Sequence, residues 1–573
     1  MKKALFAALA FVIMVGVAIV LPFSTAYAVE TFIIETETRQ YNPEKSFGGY
    51  FLTSDDSTAN QTVYLMDMMG YVIRQWSGVR GTPKLLENGN LWSCGQVQDW
   101  DGNILWSFTP STDMPTRFAE DQLSLHHDGR RIWNKKLKQY THLYVAYRNA
   151  TKEEVIAAGG DPSWSFAATA GAKGNTSRLM AHDLLIEVND KKEIVWEWRH
   201  LDHQVQSKNP AWPNYVTDVA KAPGREDAHY GTGIGYDWQH INSVDYNEDL
   251  DLIVTNGRSW SQSYVIDHGK TFVSATDWAA NRAAAKGPSG DFLYRFGNPA
   301  TYNQGYAPSC STTGQQCYEG DQQLYGSHDI QWIKPYHWNR PHAEAGDTWP
   351  DPVGYTLSGI ANPGAGHFMV FDNGTNNPTG MRSRIREFNP FLNSAGVDTG
   401  WFVNPPDAGY TGTLGLTRTS KQIVWNYQSK SQQSFYSVNT SGCQRLPNGN
   451  TSIQSSAQGH SFEVTPTGEV VWEYQFPGFG TANAKFVMYD GGTGNAEGGT
   501  TKLFRHYRYG ANYPGLAGRD LTPTTTITGN VPRLIGEGRE TITPVYGFGF
   551  GNAAFGGGSG GGVGGSGGSG SGY

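Results

Sequence analysis

The sequence predicts an all-β chain folded as a six-bladed β-propeller, and three observations lead to this prediction. The phrase Leu-x-Asn-Gly-Asn, a tight turn between two strand-like runs, occurs at 86–90 and again at 446–450, near opposite ends of the chain. Glycine (71 residues) and aromatic residues (13%) are abundant and charged residues are few (17%), as in turn-rich β-structure. Short antiparallel repeats with periodic aromatic residues are typical of a propeller. Strand-like runs that contain Trp near their ends recur at 104–106, 194–198, 423–427 and 470–474.

The chain of 573 residues is long enough for six blades of roughly 40 to 70 residues each. We expect the propeller to span 62–545, after a strand segment or small β-domain at 29–61. Residues 546–573 consist mainly of Gly and Ser. Such a stretch buries too little apolar surface to fold, so we expect a disordered tail.

The N-terminus has the parts of a secretory signal peptide in the usual order. Two lysines follow Met1, an apolar run extends to Leu21, and Ala-Tyr-Ala at 26–28 provides a small-x-small cleavage site. We therefore expect cleavage after residue 28, export to the periplasm or the medium, and no membrane contact afterwards. The alternative is an uncleaved membrane anchor, because the run from Leu5 to Leu21 is near the short end for a spanning helix.

Charge and ligand patterns exclude several functional classes. The formal net charge is −8 and the chain has no dense Lys/Arg stripe, so it lacks the cations that a nucleic-acid surface needs. The sequence contains no His-x-x-x-His and no tight carboxylate cluster with metal-ligand spacing. We predict no metal and no other cofactor.

The four cysteines fit a large exported protein. Cys310 and Cys317 flank a short polar loop, and an oxidising compartment would allow them to form a disulfide. Cys94 and Cys443 lie in the first and last repeats, where ring closure could bring them together. Sequence cannot supply the Cα separation that a bridge requires, so two buried thiols are the simpler interpretation.

Histidines occur near the expected starts of successive blades. They lie in the segments 126–128, 237–242 and 327–330. Because the innermost strands of a propeller converge on a central channel, these imidazoles are expected to face one another. A cluster of imidazoles can supply a nucleophile, a base and anion-binding groups. Each histidine taken singly could equally be a hydrogen-bonded structural residue.

Arginines accompany these histidines. Arg258 ends the strand that begins near His240, and Arg382 and Arg384 follow the Phe-Asp-Asn-Gly motif at 371–374. A guanidinium suits a tetrahedral oxyanion such as sulfate, since it donates two parallel hydrogen bonds. A single strand arginine is more often solvated or ion-paired. The pairing with histidine favours anion binding.

A series of short motifs in fixed order between 62 and 516 provides a more specific signal. The motifs are Ser327–Asp329, Phe371–Gly374, Ser383–Phe388, Val424–Tyr427, Phe435–Ser437, Gly459–Val464 and His506–Arg508. Together they resemble the bacterial arylsulfate sulfotransferases, exported enzymes that use no nucleotide sulfate donor. The resemblance implies a six-bladed propeller that moves a sulfuryl group between phenols through a sulfated histidine. Its partners would be small-molecule phenols and aryl sulfates.

The resemblance also implies roles for individual residues. Gly459–Phe462 is similar to the segment that holds the nucleophilic histidine, which makes His460 the predicted nucleophile. His240 and His328 resemble two other channel histidines, which would stabilise the transferred oxygens and exchange a proton with the phenol. The predicted catalytic residues are His460, His240, His328 and Arg384, and the predicted substrate-binding residues are Arg258, Asn242, Arg382 and His506.

One departure from the family keeps other functions open. The family has an arginine just after its Phe-Asp-Asn-Gly motif, whereas Thr-Asn-Asn stands at 375–377 here. The arginine is therefore missing or displaced to Arg382 or Arg384. A non-catalytic exported propeller that acts as a binding or surface protein is the main alternative. A quinone-dependent dehydrogenase propeller is disfavoured because the sequence has no calcium-ligand cluster and no adjacent cysteines.

Overall fold

The computed structural model describes most of the chain between residues 37 and 529. The predicted signal peptide at 1–28 and the Gly-rich tail at 546–573 lie outside the described residues. Within the described part, no helix has the length and apolar character needed to cross a bilayer. The described residues are 37–55, 61–79, 81–164, 181–231, 237–311, 314, 316–334, 362–404, 407–428, 435–477 and 503–529.

The described strands confirm the predicted six-bladed β-propeller. We number the strands along the chain and the blades in the order of their strands. The first strand is β1 (Glu37–Tyr41). Blade 1 contains β2 (Tyr50–Asp55), β3 (Gln61–Asp67) and β4 (Val72–Val79). Blade 2 contains β5 (Lys84–Leu85), β6 (Leu91–Ser93), β7 (Gln96–Gln98) and β8 (Ile104–Ser107), and blade 3 contains β9 (Ser124–Asn134), β10 (Gln139–Asn149), β11 (Ala181–Val188) and β12 (Ile194–Arg199).

The second half of the ring also contains three two-stranded ribbons, two between neighbouring blades and one between β23 and β26 of blade 5. The ribbons are β13 (Gln204–Val205) with β14 (Glu226–Asp227), β19 (Ser309–Cys310) with β20 (Cys317–Tyr318), and β24 (Tyr410–Thr411) with β25 (Thr419–Ser420). Blade 4 contains β15 (Ile241–Asn247), β16 (Leu252–Gly257), β17 (Gln262–Asp267) and β18 (Tyr294–Phe296). Blade 5 contains β21 (His328–Trp332), β22 (Phe368–Asp372), β23 (Arg384–Phe388) and β26 (Ile423–Tyr427), and blade 6 contains β27 (Gly442–Arg445), β28 (Thr451–Ser455), β29 (His460–Val464) and β30 (Val470–Gln475).

Short helices connect the blades. Each α-helix lies between two strands of one blade or between neighbouring blades, and most 3₁₀ turns do the same. The α-helices are α1 (Pro110–Asp113), α2 (Pro115–Asp121), α3 (Lys152–Ala157), α4 (His268–Thr271) and α5 (Trp278–Lys286). The 3₁₀ turns are His200–Asp202, Val219–Lys221, Pro288–Gly290, Pro299–Tyr302, Ser456–Gln458 and Pro514–Leu516.

Strands from the N-terminal and C-terminal parts of the chain close the ring between blade 6 and blade 1. β31 (His506–Tyr509) pairs with β2 and becomes the innermost strand of blade 1, while β1 pairs with β30 at the outer edge of blade 6. The predicted segment at 29–61 therefore contributes strands to two blades. Hydrogen bonds then link every innermost strand to the next. The linking pairs are Leu85 with Tyr509, Lys84 with Gly129, Val244 with Asp128, Ile330 with Ser243, Cys443 with Asp329, and Arg508 with Gln444.

The repeated sequence phrases occupy equivalent places in different blades. The turns at 86–90 and 446–450 join the first two strands of blades 2 and 6, and their glycines, Gly89 and Gly449, have φ of +80° and +88°. Such φ values favour glycine at these positions. The four Trp-containing runs form β8, β12, β26 and β30, the fourth strands of their blades.

Large aromatic side chains fill the space between blades. Trp196 and Trp198 of blade 3 are fully buried and pack with Ile241 and Val244 of blade 4. Trp472 packs similarly between blades 6 and 1 and donates its indole N–H to the Met68 carbonyl at 2.8 Å. A buried indole needs such an acceptor. The Trp repeat in the sequence is therefore a signature of blade-to-blade packing.

Two of the four cysteines form a disulfide and two are free. Cys310 and Cys317 form the predicted disulfide across the β19–β20 ribbon. Cys94 and Cys443 are free thiols. The disulfide therefore closes a local surface ribbon and does not join blades.

Candidate active site

Four of the six blades bring His or Arg residues to the same end of the central channel, where the chain enters the innermost strand of each blade. We call this the entry end. His127 lies near the start of β9, His240 directly precedes β15, and His328 begins β21. Arg505 directly precedes β31. His127 contacts His240, and its charge acts on His328.

The backbone at the entry end is unusual. His127, Asp237, His240 and Asp329 have φ of 56°, 54°, 53° and 56°. Left-handed backbone is uncommon for residues other than glycine and tends to cluster at functional sites. These conformations turn the imidazoles of His127 and His240 toward each other.

His240 is oriented by a carboxylate and faces a second imidazole. Its Nδ1 lies 2.6 Å from Asp237 Oδ2, and its Nε2 lies 3.2 Å from His127 Nε2. Tyr147 donates its hydroxyl to Asp237 Oδ1 at 2.8 Å. Burial opposes ionisation of Asp237, but the hydrogen bonds from His240 and Tyr147, together with the charge of His240, lower the Asp237 pKa. His240 is 21% exposed, so a small molecule in the channel can reach its ring.

His328 is held as a neutral imidazole. Its Nδ1 lies 2.7 Å from Asn373 Oδ1 and 3.1 Å from the Gly326 carbonyl, so Nδ1 carries the proton. Its Nε2 accepts the Thr440 backbone N–H at 3.2 Å. Burial places the His328 pKa well below its usual value. Both ring nitrogens are thus occupied, which favours a role in shaping the site.

Arg258 lies at the entry end of the channel. It follows β16 and its charge acts on both His328 and Tyr436. Among the described residues, its guanidinium has no hydrogen-bond or ion-pair partner, and it is partly exposed. A free guanidinium beside imidazoles is suited to an oxyanion.

The guanidinium groups of the other two predicted arginines, Arg384 and Arg382, contact protein groups. Arg384 donates from Nε to Asp372 at 2.9 Å and from Nη1 to both oxygens of Glu319 at 3.1 Å. Arg382 makes a long contact of 3.4 Å with the Thr379 hydroxyl. The buried ion pairs of Arg384 leave little capacity for a substrate anion. Of the three candidates, Arg258 has the most suitable surroundings.

His460 begins β29, the third strand of blade 6, and lies at the entry end but away from the axis. Two strand spacings separate β29 from the innermost β27, which is about 10 Å. His460 Nε2 lies 2.7 Å from Glu473 Oε1, and its ring stacks on Phe462. Among the described residues, Nδ1 of His460 has no hydrogen-bond partner. The structure thus groups His240 and His328 but gives His460 a separate carboxylate-oriented position.

Two further candidates are held in structural networks. Asn242 is fully buried and donates to the Ser327 carbonyl at 2.8 Å. His506 contacts the hydroxyls of Ser452 and Ser461 through its two nitrogens at 2.6 and 3.0 Å. Both side chains therefore support the strands around the channel, and their substrate-binding role stays a prediction.

A buried charged layer lies beneath the histidines. Asp128 accepts hydrogen bonds from Arg505 at 2.7 Å, Arg130 at 2.8 Å and Lys84 at 3.0 Å. Burial alone would raise the Asp128 pKa, but these cations hold it well below the usual value. Beyond this layer, toward the other end of the ring, Lys84 and Arg130 line a cavity of about 140 Å³. The layer separates that cavity from the entry end.

Several residues of the site were not identified from the sequence. Tyr147 and Asp183 come from strands of blade 3, and Arg505 precedes the last strand. For Asp183, the sequence offered one signal, a His-Asp dipeptide that recurs at 127–128, 182–183 and 328–329. Among the residues that the structure describes, no group of three or more His, Cys, Asp or Glu side chains is arranged to bind a metal ion.

The fold defines the class of protein, a six-bladed β-propeller, and histidine side chains lie at one end of its central channel. The arylsulfotransferase (ASST) family model matches residues 36–274, from β1 to just beyond α4. This match confirms the predicted resemblance to the arylsulfate sulfotransferase family. No curated protein matches the chain.

Solved structures also include similar chains. One is a Bacteroides caccae protein described as being of unknown function. It shares 8% sequence identity, with 75% of this chain and 93% of that chain covered and a TM-score of 0.33.

Proposed function

We propose that this chain is an arylsulfate sulfotransferase that transfers a sulfuryl group from an aryl sulfate ester to a phenol through a sulfohistidine at the entry end. The observation that carries the proposal is the arylsulfotransferase match over residues 36–274. The match supports aryl sulfotransferase activity in general. The histidines and Arg258 at the entry end supply groups that suit the specific chemistry.

Arg258 is the proposed anchor of the sulfate group. Its guanidinium is free of protein partners in the described part of the chain and lies within electrostatic reach of His328 and Tyr436. A sulfate ester presents tetrahedral oxygens that match the guanidinium fork. Arg258 would therefore take over the role of the arginine that is missing after the motif at 371–374.

His460 is the proposed nucleophile. Glu473 accepts the proton of Nε2 at 2.7 Å, which leaves the Nδ1 lone pair available for attack on sulfur. The N–S bond forms as the S–O bond to the donor phenol breaks, and the electron pair goes to the phenol oxygen. The acceptor phenol later reverses these steps. Tyr436 bridges the two parts of the site, since Arg258 acts on its hydroxyl and its backbone N–H donates to Gln458 at 3.4 Å.

The proposal is tested by turnover of 4-nitrophenyl sulfate with phenol as acceptor. Wild-type protein should release nitrophenolate faster with phenol present, and His460→Asn should abolish this release. His367→Asn is a matched control, because His367 also contacts a carboxylate at 2.7 Å and is similarly exposed (23% against 16%). His367 precedes β22 at the opposite end of the strands. Equal loss in both variants would refute the assignment of His460.

A non-catalytic binding propeller is the second candidate. The observation that favours it is the Thr-Asn-Asn sequence at 375–377 in place of the family arginine. Absence of turnover by folded wild-type protein, together with retained binding of an aryl sulfate in calorimetry, would support binding and contradict catalysis.

Export is part of the proposed function. The disulfide between Cys310 and Cys317 fits an oxidising compartment, as does the signal-like sequence at 1–28. Mass analysis of the mature protein should show an N-terminus at Val29. A retained Met1 in protein from the membrane fraction would instead support the anchor.

A further inference from the structure

A second cavity opens between blades 2 and 3, at the end of the ring opposite the entry end. Its walls include the turn between β5 and β6, the turn between β9 and β10, and Asp190 in the turn between β11 and β12. Because the innermost strands begin at the entry end, all three turns lie at the other end. The cavity has a volume of about 470 Å³, within the size range of small-molecule sites. We call it the blade 2–3 groove.

The alternation of side chains along β9 and β10 gives the groove an aromatic wall. Trp133 lies directly opposite Tyr140 in the strand register, and Arg131 lies opposite His142, so all four side chains share one face of blade 3. The rings of Trp133 and Tyr140 meet edge-on with centroids 5.2 Å apart, and the Arg131 guanidinium lies over the Tyr140 ring at 3.7 Å. Trp106 of blade 2 adds a further aromatic ring to the lining.

His142 is the most deeply buried side chain of the groove, and its orientation is fixed. It is 2% exposed, and its Nδ1 accepts the Trp92 indole N–H at 2.9 Å. Trp106 stacks on the imidazole with ring centroids 4.0 Å apart. Burial lowers the His142 pKa, so the ring is neutral at neutral pH and carries its one proton on Nε2. His142 therefore presents a fixed N–H donor.

Asp190 faces this donor across a gap. Its Oδ1 lies 3.5 Å from His142 Nε2, at the limit of a hydrogen bond, and its side chain is 66% exposed. Trp106 donates its indole N–H to the Asp190 backbone carbonyl at 3.0 Å, which holds the turn in place. The contact with His142 is the largest cause of a lowered Asp190 pKa, so the carboxylate is ionised and only accepts. A hydroxyl group can accept from His142 and donate to Asp190 at the same time.

Side-chain amides provide further hydrogen-bonding groups in the groove. Asn90 and Gln139 line it, and neither amide has a hydrogen-bond partner among the described residues. Asn88 Oδ1 accepts the Asn90 backbone N–H at 3.1 Å, which leaves the Asn88 amino group available. Each amide combines an acceptor with two donors and so matches hydroxyl groups, which also accept and donate.

We propose that the blade 2–3 groove is a saccharide-binding site. A sugar ring carries adjacent hydroxyl groups for the carboxylate, the imidazole N–H and the amides, and its C–H groups suit the negative faces of aromatic rings. Arg131 and Lys138 line the groove together with Asp190, so a compact anion would meet repulsion from Asp190 and leave the aromatic wall unused. A purely aromatic ligand would leave the amides and the carboxylate without partners. The site is separate from the proposed sulfuryl transfer at the entry end.

The proposal is tested by titration calorimetry of the full-length protein with maltotriose, cellotriose and chitotriose. At least one of these sugars should bind with one site per chain. Asp190→Asn should weaken that binding about tenfold or more, because a hydrogen bond to a charged acceptor is lost, and Gln139→Ala should weaken it less. Asp101→Asn is the matched control, since Asp101 is a similarly exposed carboxylate (77%) in the turn between β7 and β8, outside the groove. Its affinity should equal that of wild type.

The outcomes that would overturn the proposal do not depend on turnover. Folded protein that binds none of the three sugars would refute it. Equal affinity in wild type, Asp190→Asn and Gln139→Ala, with unchanged melting temperatures, would place the sugar elsewhere on the molecule. Binding of 4-nitrophenyl sulfate in place of all three sugars would assign the groove to an aryl ligand instead.

Discussion

Replacement of Arg258 is the most informative perturbation of the proposed sulfate site. Arg258→Gln removes a guanidinium that has no protein partner among the described residues, so the fold should lose little. Each hydrogen bond from a charged donor contributes about 1.5–3 kcal/mol. A glutamine amide can retain one weaker bond to sulfate, which leaves a net loss of about 2 kcal/mol for a partly exposed group. At 1.4 kcal/mol per tenfold change, this loss lowers kcat/KM about 30-fold.

The assay compares initial rates with 4-nitrophenyl sulfate for three proteins. Arg258→Lys keeps the charge without the planar fork and should fall between wild type and Arg258→Gln. Arg74→Gln is the control, because Arg74 lies in the outer strand β4 and pairs with the exposed Asp101 at 3.5 Å. Its kcat/KM should stay at the wild-type value. A kcat/KM for Arg258→Gln within threefold of wild type, with an unchanged melting temperature, would refute the anchoring role.

Three further predictions concern stability. Arg384→Met should cost about 3–5 kcal/mol in urea unfolding, because it leaves Glu319 buried without its cation; a cost under 1 kcal/mol would contradict a structural role. Because the folded-state pKa of Asp128 is depressed, its contribution is present at neutral pH and is lost as pH falls below about 4. Asp128→Asn should therefore be less stable at pH 7 and show a flatter stability profile in acid, and parallel profiles would refute this. Replacing Cys310 and Cys317 by Ser should speed proteolysis of the ribbon without moving the main unfolding transition, since the disulfide closes only a local loop.

The parts of the fold that repeat locally were predictable from the sequence. The Asn-Gly turns at 86–90 and 446–450 and the Trp-containing strands depend on neighbouring residues and on one recurrent packing environment. Ring closure was not predictable in detail. β1 pairs with β30 and β31 with β2 over separations of more than 400 residues, and no local pattern specifies such partners. Pairing across these distances is decided by the whole ring.

The site was predictable at the level of the blade but not of the side chain. His240 and His328 could be placed at the channel because the first strands of blades converge there. The ion-pair partners of Arg384 could not be predicted, because Glu319 lies 65 residues away, next to a ribbon that connects two blades. Side chains alternate between the two faces of a strand. Sequence therefore places His460 at the start of β29 but does not reveal that Glu473 orients its ring.

The most direct test of sulfuryl transfer through histidine is mass spectrometry of the protein after brief exposure to 4-nitrophenyl sulfate without acceptor. The account predicts one acid-labile sulfuryl adduct per chain on the peptide that contains His460, and its disappearance when phenol is added. An adduct that maps to His240 or His328 would move the nucleophile to the axis. Turnover to phenyl sulfate with no trapped adduct on any histidine would contradict the sulfohistidine route.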